Sequence, residues 1–192
     1  MSERRLTISV SGAAETGHCG ATVIPTAKEL GREIARAGCQ IITGATSGFP
    51  MYAAEGAKEA GGFSFGLSPA GSRQEHLEVY RLPLKAMDTV VYTGFGFPGR
   101  DLMLVRSSDA IVIGCGRIGT IHEFTVAWEA DMPLGVLVGP WTTDEVIKNI
   151  IENSNRKNPM VIFEEDPKKM IERLVKMVRE KDAKGEERGI RM

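Results

Sequence analysis

Short apolar runs alternate with amphipathic segments along almost the whole chain. The runs have the length of β-strands, and the segments between them carry apolar residues at the three- and four-residue spacing of helices. The predicted strands are residues 6–12, 39–44, 63–69, 88–94, 109–114, 133–139 and 160–165. The predicted helices are residues 26–38, 51–62, 100–108, 120–130, 142–153 and 167–180.

Regular alternation of strands and helices predicts parallel strand pairing through right-handed crossovers. The run AIVIG at residues 110–114 is apolar on both faces, which is typical of a strand in a sheet covered on both sides. We therefore expect an α/β fold, a single Rossmann-like domain over residues 1–180 with a mostly parallel sheet between two helix layers. Residues 181–192 are charged and are expected to form a flexible tail. Residues 70–87 show no clear pattern and could form a loop near the site.

In such sheets, ligands bind beyond the carboxyl ends of the strands, so the turns after the strands are the candidate ligand contacts. Four of these turns, SGAAETGHCG, TGATSGFP, TGFGFPGR and GCGRIGT, are rich in glycine, serine or threonine. Such turns let the backbone approach a ligand closely. The predicted substrate-binding residues are Ser11, Gly12, Gly44, Thr46, Ser47, Gly48, Gly94 and Gly96.

The turn after the fifth strand matches the spacing G-x-G-x-x-G at Gly114, Gly116 and Gly119. A dinucleotide site would also need an acidic residue about 20 positions later and is normally on the first strand, so NAD is disfavoured and no cofactor is expected. A helix starting near Thr120 would offer free N–H groups to a phosphate. The alternative is a tight turn without a ligand. The predicted phosphate-binding residues are Gly116, Arg117, Ile118, Gly119 and Thr120.

Two charged residues beside these turns, Arg100 and Glu123, are candidates for a functional role. Thr120 and Glu123 have the spacing of a capping box, so Glu123 has a purely structural interpretation as a helix cap. Arg100 follows FPG at an expected helix start, where a cation is electrostatically unfavourable. A carboxylate or a bound anion is therefore expected beside Arg100.

Composition excludes several classes of partner and site. The net charge of −1 and the low aromatic content of 6% disfavour nucleic acid. No apolar run is long enough to cross a membrane, the start of the chain lacks a signal-peptide core, and a cytoplasmic location is expected. The three cysteines, Cys19, Cys39 and Cys115, have no paired or metal-like spacing and are expected to be small buried residues. The histidines have no ligand spacing either, so no metal is expected.

The quoted residues resemble the LOG-type proteins, a family also described as possible lysine decarboxylases. That family carries an arginine in a helix followed by P-G-G-x-G-T-x-x-E, and here Arg100 precedes CGRIGTIHE at residues 115–123. The segments LGREIARAGCQIITG and EGAKEAGG also resemble the first half of the family. The resemblance covers roughly residues 6–165.

The resemblance implies an activity and an assembly. Enzymes of the family, such as cytokinin riboside monophosphate phosphoribohydrolases, hydrolyse nucleoside 5′-monophosphates to the free base and ribose 5-phosphate. By the resemblance, the catalytic pair would be Arg100 and Glu123, the partner a nucleoside monophosphate, and the protein a homodimer or larger homo-oligomer.

A non-catalytic function is the alternative. The family proline is Cys115 here, its second glycine is Arg117, and the earlier glycine loop is one residue shorter. The wider superfamily includes proteins that carry the molybdenum cofactor, a pterin phosphate, in the same cleft. The chain could therefore be a carrier or sensor of a phosphorylated nucleotide or pterin.

Overall fold

The computed structural model describes residues 4–187, with side chains through residue 184. The strands are β1 (Thr7–Ser11), β2 (Gln40–Thr43), β3 (Ser64–Ser68), β4 (Thr89–Tyr92), β5 (Ala110–Ile113), β6 (Leu134–Leu137) and β7 (Val161–Glu164). The helices are α1 (Val23–Arg36), α2 (Phe49–Glu59), α3 (Arg73–Glu78), α4 (Gly96–Arg106), α5 (Ile118–Glu129), α6 (Thr143–Asn153) and α7 (Pro167–Glu187).

All seven strands form one parallel sheet in the order β4-β3-β2-β1-β5-β6-β7. The chain builds one half of the sheet outward from β1 and then returns to lay β5 on its other side, with Ile8 opposite Ala110 and Ser11 opposite Ile113. The order therefore reverses between β1 and β5. A crevice forms at the carboxyl ends of the two strands where the connections diverge. The predicted Rossmann-like α/β fold is confirmed.

The two faces of the sheet are covered by separate helix layers, as the doubly apolar β5 predicts. Ala110 and Val112 pack in the cluster that contains the buried faces of α1, α2 and α7. Ile111 and Ile113 pack in a second cluster with residues of α4, α5 and α6. Because side chains alternate along a strand, this division places both faces of β5 in apolar surroundings.

Two local predictions need correction or restriction. Residues 70–87 contain the short helix α3, which Ser72 caps by accepting from the Glu75 N–H, and the cavity described below has no residue from this segment. Helix α7 continues to Glu187, so the first part of the expected tail is helical, and residues 188–192 lie outside the described residues.

Candidate functional site

A cavity of about 180 Å³ lies at the carboxyl ends of β1, β2 and β5, at the point where the strand order reverses. Its walls come from the turns after β1 and β2 and from the first two turns of α4 and α5, the helix that follows β5. The lining residues are Val10, Ser11, Gly12, Ala14, Gly44, Thr46, Pro50, Phe97, Arg100, Asp101, Gly119, Thr120 and Glu123. Part of the predicted set therefore shares one cavity, namely Ser11, Gly12, Gly44, Thr46, Arg100, Gly119, Thr120 and Glu123.

Arg100 and Glu123 meet inside this cavity as a buried ion pair. Arg100 Nη1 lies 2.9 Å from Glu123 Oε1, and each side chain is 7% exposed. Ser11, at the end of β1, donates its hydroxyl hydrogen to Glu123 Oε2. Glu123 is thus held by a cation from α4 and a hydroxyl from β1, while it still lines the cavity.

Two sequence interpretations of these residues are wrong in detail. Helix α4 begins at Gly96 and α5 at Ile118, both earlier than expected. Arg100 therefore lies beyond the first turn of its helix, and Thr120 is inside α5 rather than at its cap. The carboxyl group of Glu123 contacts Ser11 and Arg100, so the capping-box interpretation of this residue fails.

Asp101 and His122 extend the charged cluster, and sequence reasoning missed both. Asp101 Oδ1 lies 3.0 Å from Arg100 Nη1, and Asp101 Oδ2 lies 3.0 Å from His122 Nδ1. Asp101 and Arg100 together connect His122 to Glu123. The signal in the sequence was weak, because a carboxylate after an arginine is common on exposed helices.

The environment of Glu123 favours its protonated form. Burial raises the pKa of Glu123 to about 8, Asp101 adds to the rise, and Arg100 and Ser11 act against it. Loss of hydration penalises the carboxylate more than the neutral acid, which is the usual cause of a raised carboxyl pKa. A carboxyl group whose pKa lies near neutrality can take up or release a proton during a reaction.

Gly44 makes room for Arg100. A Cβ atom at position 44 would overlap the guanidinium of Arg100, so only glycine allows this side chain to pass the end of β2. Gly44, which was predicted to contact substrate, has a structural role in placing Arg100. Arg100 Nε is buried and has no hydrogen-bond partner among the described residues. The Phe97 ring lies 5.9 Å from the guanidinium carbon.

The predicted phosphate turn divides between the cavity and the surface. Gly119 and Thr120 line the cavity, and a Cβ atom at Gly119 would meet open space. Gly116 donates its N–H to the Thr143 hydroxyl. Arg117 pairs with Glu15 on the surface. Ile118 is 83% exposed. Of the predicted set, the cavity wall therefore includes only Gly119 and Thr120.

The remaining predicted glycines have structural roles, and Gly12 also lines the cavity. Gly12 contacts the Phe49 side chain so closely that a Cβ atom would overlap it. Gly48 has a φ of +72° and lies against the backbone of residues 13 and 14. The neighbouring Ser47, also a predicted substrate contact, donates its hydroxyl hydrogen to the Ala14 carbonyl. Gly94 and Gly96 also have positive φ and are not among the cavity residues.

The cysteines contradict the expectation of unpaired thiols. Cys19 and Cys115 form a disulfide that joins the turn after β1 to the turn after β5, although 96 positions separate them. His18 Nε2 lies 3.7 Å from each of the two sulfur atoms. Cys39 is buried and free, as expected. Spacing concealed the pair because the fold, and not the local sequence, brings the two turns together.

The fold and this cavity define a Rossmann-like α/β protein with a cavity at the reversal of strand order. The chain belongs to the SLOG cluster4 family, whose model matches residues 5–171. No curated protein matches the chain. Among the described residues, no helix is long and apolar enough to cross a membrane.

Solved structures similar to this chain include two molybdenum cofactor proteins. The molybdenum cofactor binding protein of Rippkaea orientalis is 27% identical, with a TM-score of 0.71 and coverage of 93% of this chain and 98% of that one. The molybdenum cofactor carrier protein of Chlamydomonas reinhardtii is 26% identical, with a TM-score of 0.71 and coverage of 92% and 99%. A third similar structure, DNA processing protein A of Helicobacter pylori, shares the fold alone. It is 18% identical, with a TM-score of 0.64 and coverage of 89% of this chain and 80% of that one.

Proposed function

We propose that the cavity binds a nucleoside 5′-monophosphate and that the chain hydrolyses its N-glycosidic bond, which is the activity of LOG-type enzymes. The observation that carries this proposal is the buried pair of Arg100 and Glu123 on the cavity wall. Burying two ionisable side chains together is a costly arrangement that a fold rarely needs for stability. Its position at the strand-order reversal is where α/β proteins bind ligands.

The start of α5 is the proposed phosphate site. The N–H groups of the first helical turn have no partner within the helix, and the helix dipole adds positive potential there. Gly119 and Thr120 belong to this turn and line the cavity, and Thr120 adds a hydroxyl group. A 5′-phosphate bound here would leave the sugar to extend toward Glu123, one turn further along the same helix.

Glu123 is the proposed base. Hydrolysis breaks the bond between C1′ and the base nitrogen, forms a bond from C1′ to a water oxygen, and transfers a proton from that water to the departing base. In its carboxylate form, Glu123 would take the proton from water and stabilise the positive charge that develops on the sugar. Arg100 would keep the carboxylate oriented, and its free Nε would donate to the ligand.

Incubation of the pure protein with a panel of purine and pyrimidine nucleoside monophosphates tests this proposal. We expect free base and ribose 5-phosphate by chromatography, with a rate that rises with pH and levels off above about pH 8, where Glu123 is ionised. Glu123→Gln should lower the rate by at least about a hundredfold. Glu129→Gln, an exposed position on the same helix, is the control and should leave the rate unchanged. Equal turnover by wild type and Glu123→Gln would exclude the proposed base.

A carrier function is the second candidate, and the similarity to the two molybdenum cofactor proteins favours it. In that case the same cavity would hold a phosphorylated pterin or nucleotide without cleaving it. The distinguishing observation is a rise in melting temperature with such a ligand, in the absence of any product from the nucleotide panel. Ligand recovered intact after long incubation would establish carriage over hydrolysis.

A further inference from the structure

The side chains of His18, Cys19 and Cys115 form a compact cluster of soft ligand atoms beside the cavity. The two sulfur atoms and one imidazole nitrogen lie within 4.8 Å of one another. Both cysteines are fully buried, whereas His18 is exposed and covers them from the solvent side. We propose that, once the disulfide is reduced, these three residues bind a zinc-type divalent ion.

The position of the imidazole is the first argument. A disulfide needs no third partner, yet His18 Nε2 lies at the same distance, 3.7 Å, from each sulfur. Zinc bonds of about 2.0–2.1 Å to nitrogen and 2.3 Å to sulfur in a tetrahedron give a nitrogen–sulfur separation of about 3.6 Å. The histidine therefore already lies where a zinc ligand would lie relative to each sulfur. Only the two sulfurs must move apart to admit the ion.

The backbone around the cluster is the second argument, because it holds the ligands in place without the disulfide. The Ala13 N–H donates to the Cys115 carbonyl at 2.7 Å, and the Gly114 N–H donates to the Ser11 carbonyl at 2.9 Å. The Cys19 N–H donates to the Thr16 carbonyl at 2.9 Å within its own turn. Both turns are thus fixed to each other by main-chain hydrogen bonds, which preorganises a site shared between them.

The chemistry of the donor set selects the ion. Two thiolates and one imidazole match zinc and similar borderline-soft ions rather than magnesium or calcium, which prefer oxygen ligands. An added phosphine reduces the disulfide by supplying two electrons, and water supplies the two thiol protons and the oxygen atom of the phosphine oxide that forms. Binding then releases the two thiol protons to the solvent as the thiolates coordinate the ion. A water molecule would complete the fourth position of the site.

Zinc titration of the reduced full-length protein against a chromophoric chelator, under argon and after removal of the phosphine, tests the proposal. We expect one ion per chain, release of two protons, and no binding by the oxidised protein. Cobalt substitution should give the charge-transfer absorption of thiolate ligands. His18→Ala and Cys115→Ser should each weaken binding by more than about tenfold. Cys39→Ser is the matched control, because this buried cysteine lies outside the cluster, and it should bind zinc as the wild type does.

The histidine variant keeps the test independent of folding. Its side chain is exposed, so circular dichroism should show an unchanged fold when the imidazole is removed. Absence of zinc binding by the reduced wild type would overturn the proposal, as would equal affinity in His18→Ala and wild type. A disulfide that phosphine cannot reduce in the folded protein would overturn it as well. None of these readouts requires nucleotide cleavage, so the outcome is separate from that of the proposed function.

Discussion

At the scale of single residues, Glu123 makes the stability of the protein depend on pH. Its folded-state pKa of about 8 lies above the ordinary value of 4.5, so the folded chain binds a proton that the unfolded chain releases. The free energy of unfolding therefore falls as pH rises between these two values. We expect wild type to lose up to about 1.4 kcal/mol per pH unit in this window relative to Glu123→Gln, which has no such proton.

Urea denaturation at a series of pH values from 5 to 8 measures this difference. Glu129→Gln controls for general effects of removing an acidic side chain from α5, because the carboxyl group of Glu129 is on the surface. The free energy of unfolding of Glu129→Gln should differ from that of wild type by a nearly constant amount over the same pH range. If the free energy of unfolding of Glu123→Gln changes with pH in parallel with that of wild type, Glu123 has an ordinary pKa.

Gly44 is the residue whose substitution tests the placement of Arg100. An alanine Cβ would overlap the guanidinium, so Gly44→Ala should destabilise the fold by about 1–3 kcal/mol and displace Arg100 from Glu123. Denaturation and the nucleotide cleavage assay measure the two effects. Gly17→Ala is the control, since a Cβ there meets nothing within 4 Å, and it should change neither. If Gly44→Ala keeps the stability and activity of wild type, the guanidinium of Arg100 does not lie against Gly44.

At the scale of elements, the close contact between α1 and α2 depends on two glycines. A Cβ at Gly31 would overlap the Ala53 carbonyl, and one at Gly56 would overlap the Lys28 carbonyl. Each glycine therefore lets the backbone of the partner helix approach directly. This contact places α2 so that Phe49, at its start, packs beneath the turns after β1 and β5.

Alanine at either position should force the two helices apart. Although alanine favours an isolated helix by up to about 1 kcal/mol over glycine, we expect a net loss of about 2 kcal/mol or more, because rigid backbone opposes the added methyl group. Thermal denaturation of Gly31→Ala and Gly56→Ala measures the loss. Gly119→Ala adds a methyl group to a helix in open space and should not destabilise the fold. If all three alanine variants are more stable than wild type, α1 and α2 do not approach each other as closely as the structure shows.

At the scale of the whole molecule, self-association stays a prediction. Trp128 is buried within its own chain against Phe124 and offers no surface to a partner. Four exposed apolar residues on or next to α4 and α5 support the prediction instead: Phe95, Phe97, Leu102 and Ile118. Apolar side chains grouped on a surface mark interaction sites. Light scattering should give at least twice the 20.9 kDa monomer mass, and Ile118→Lys should lower it. A monomer mass at high concentration would contradict the prediction.

The sequence by itself determined the architecture. Each strand of the sheet lies within a predicted apolar run, because strands buried on both faces must be apolar throughout and helices must be amphipathic. Short-range patterns encode these features directly. The helix starts were less accurate, since α4 and α5 begin on glycine-rich residues that resemble turns. The position of the cavity followed from the same patterns, because the carboxyl ends of parallel strands lie at one edge of the sheet.

Only the tertiary structure decided which side chains meet. Arg100 pairs with Glu123 across 23 positions, and Cys19 bonds to Cys115 across 96. The first contact joins helices α4 and α5, and the second joins the turns after the neighbouring strands β1 and β5. No local spacing records either relation. The same long-range packing removes Glu123 from water and raises its pKa. Protonation and pairing depend on burial and distance, which arise only when separate segments of the chain are brought together.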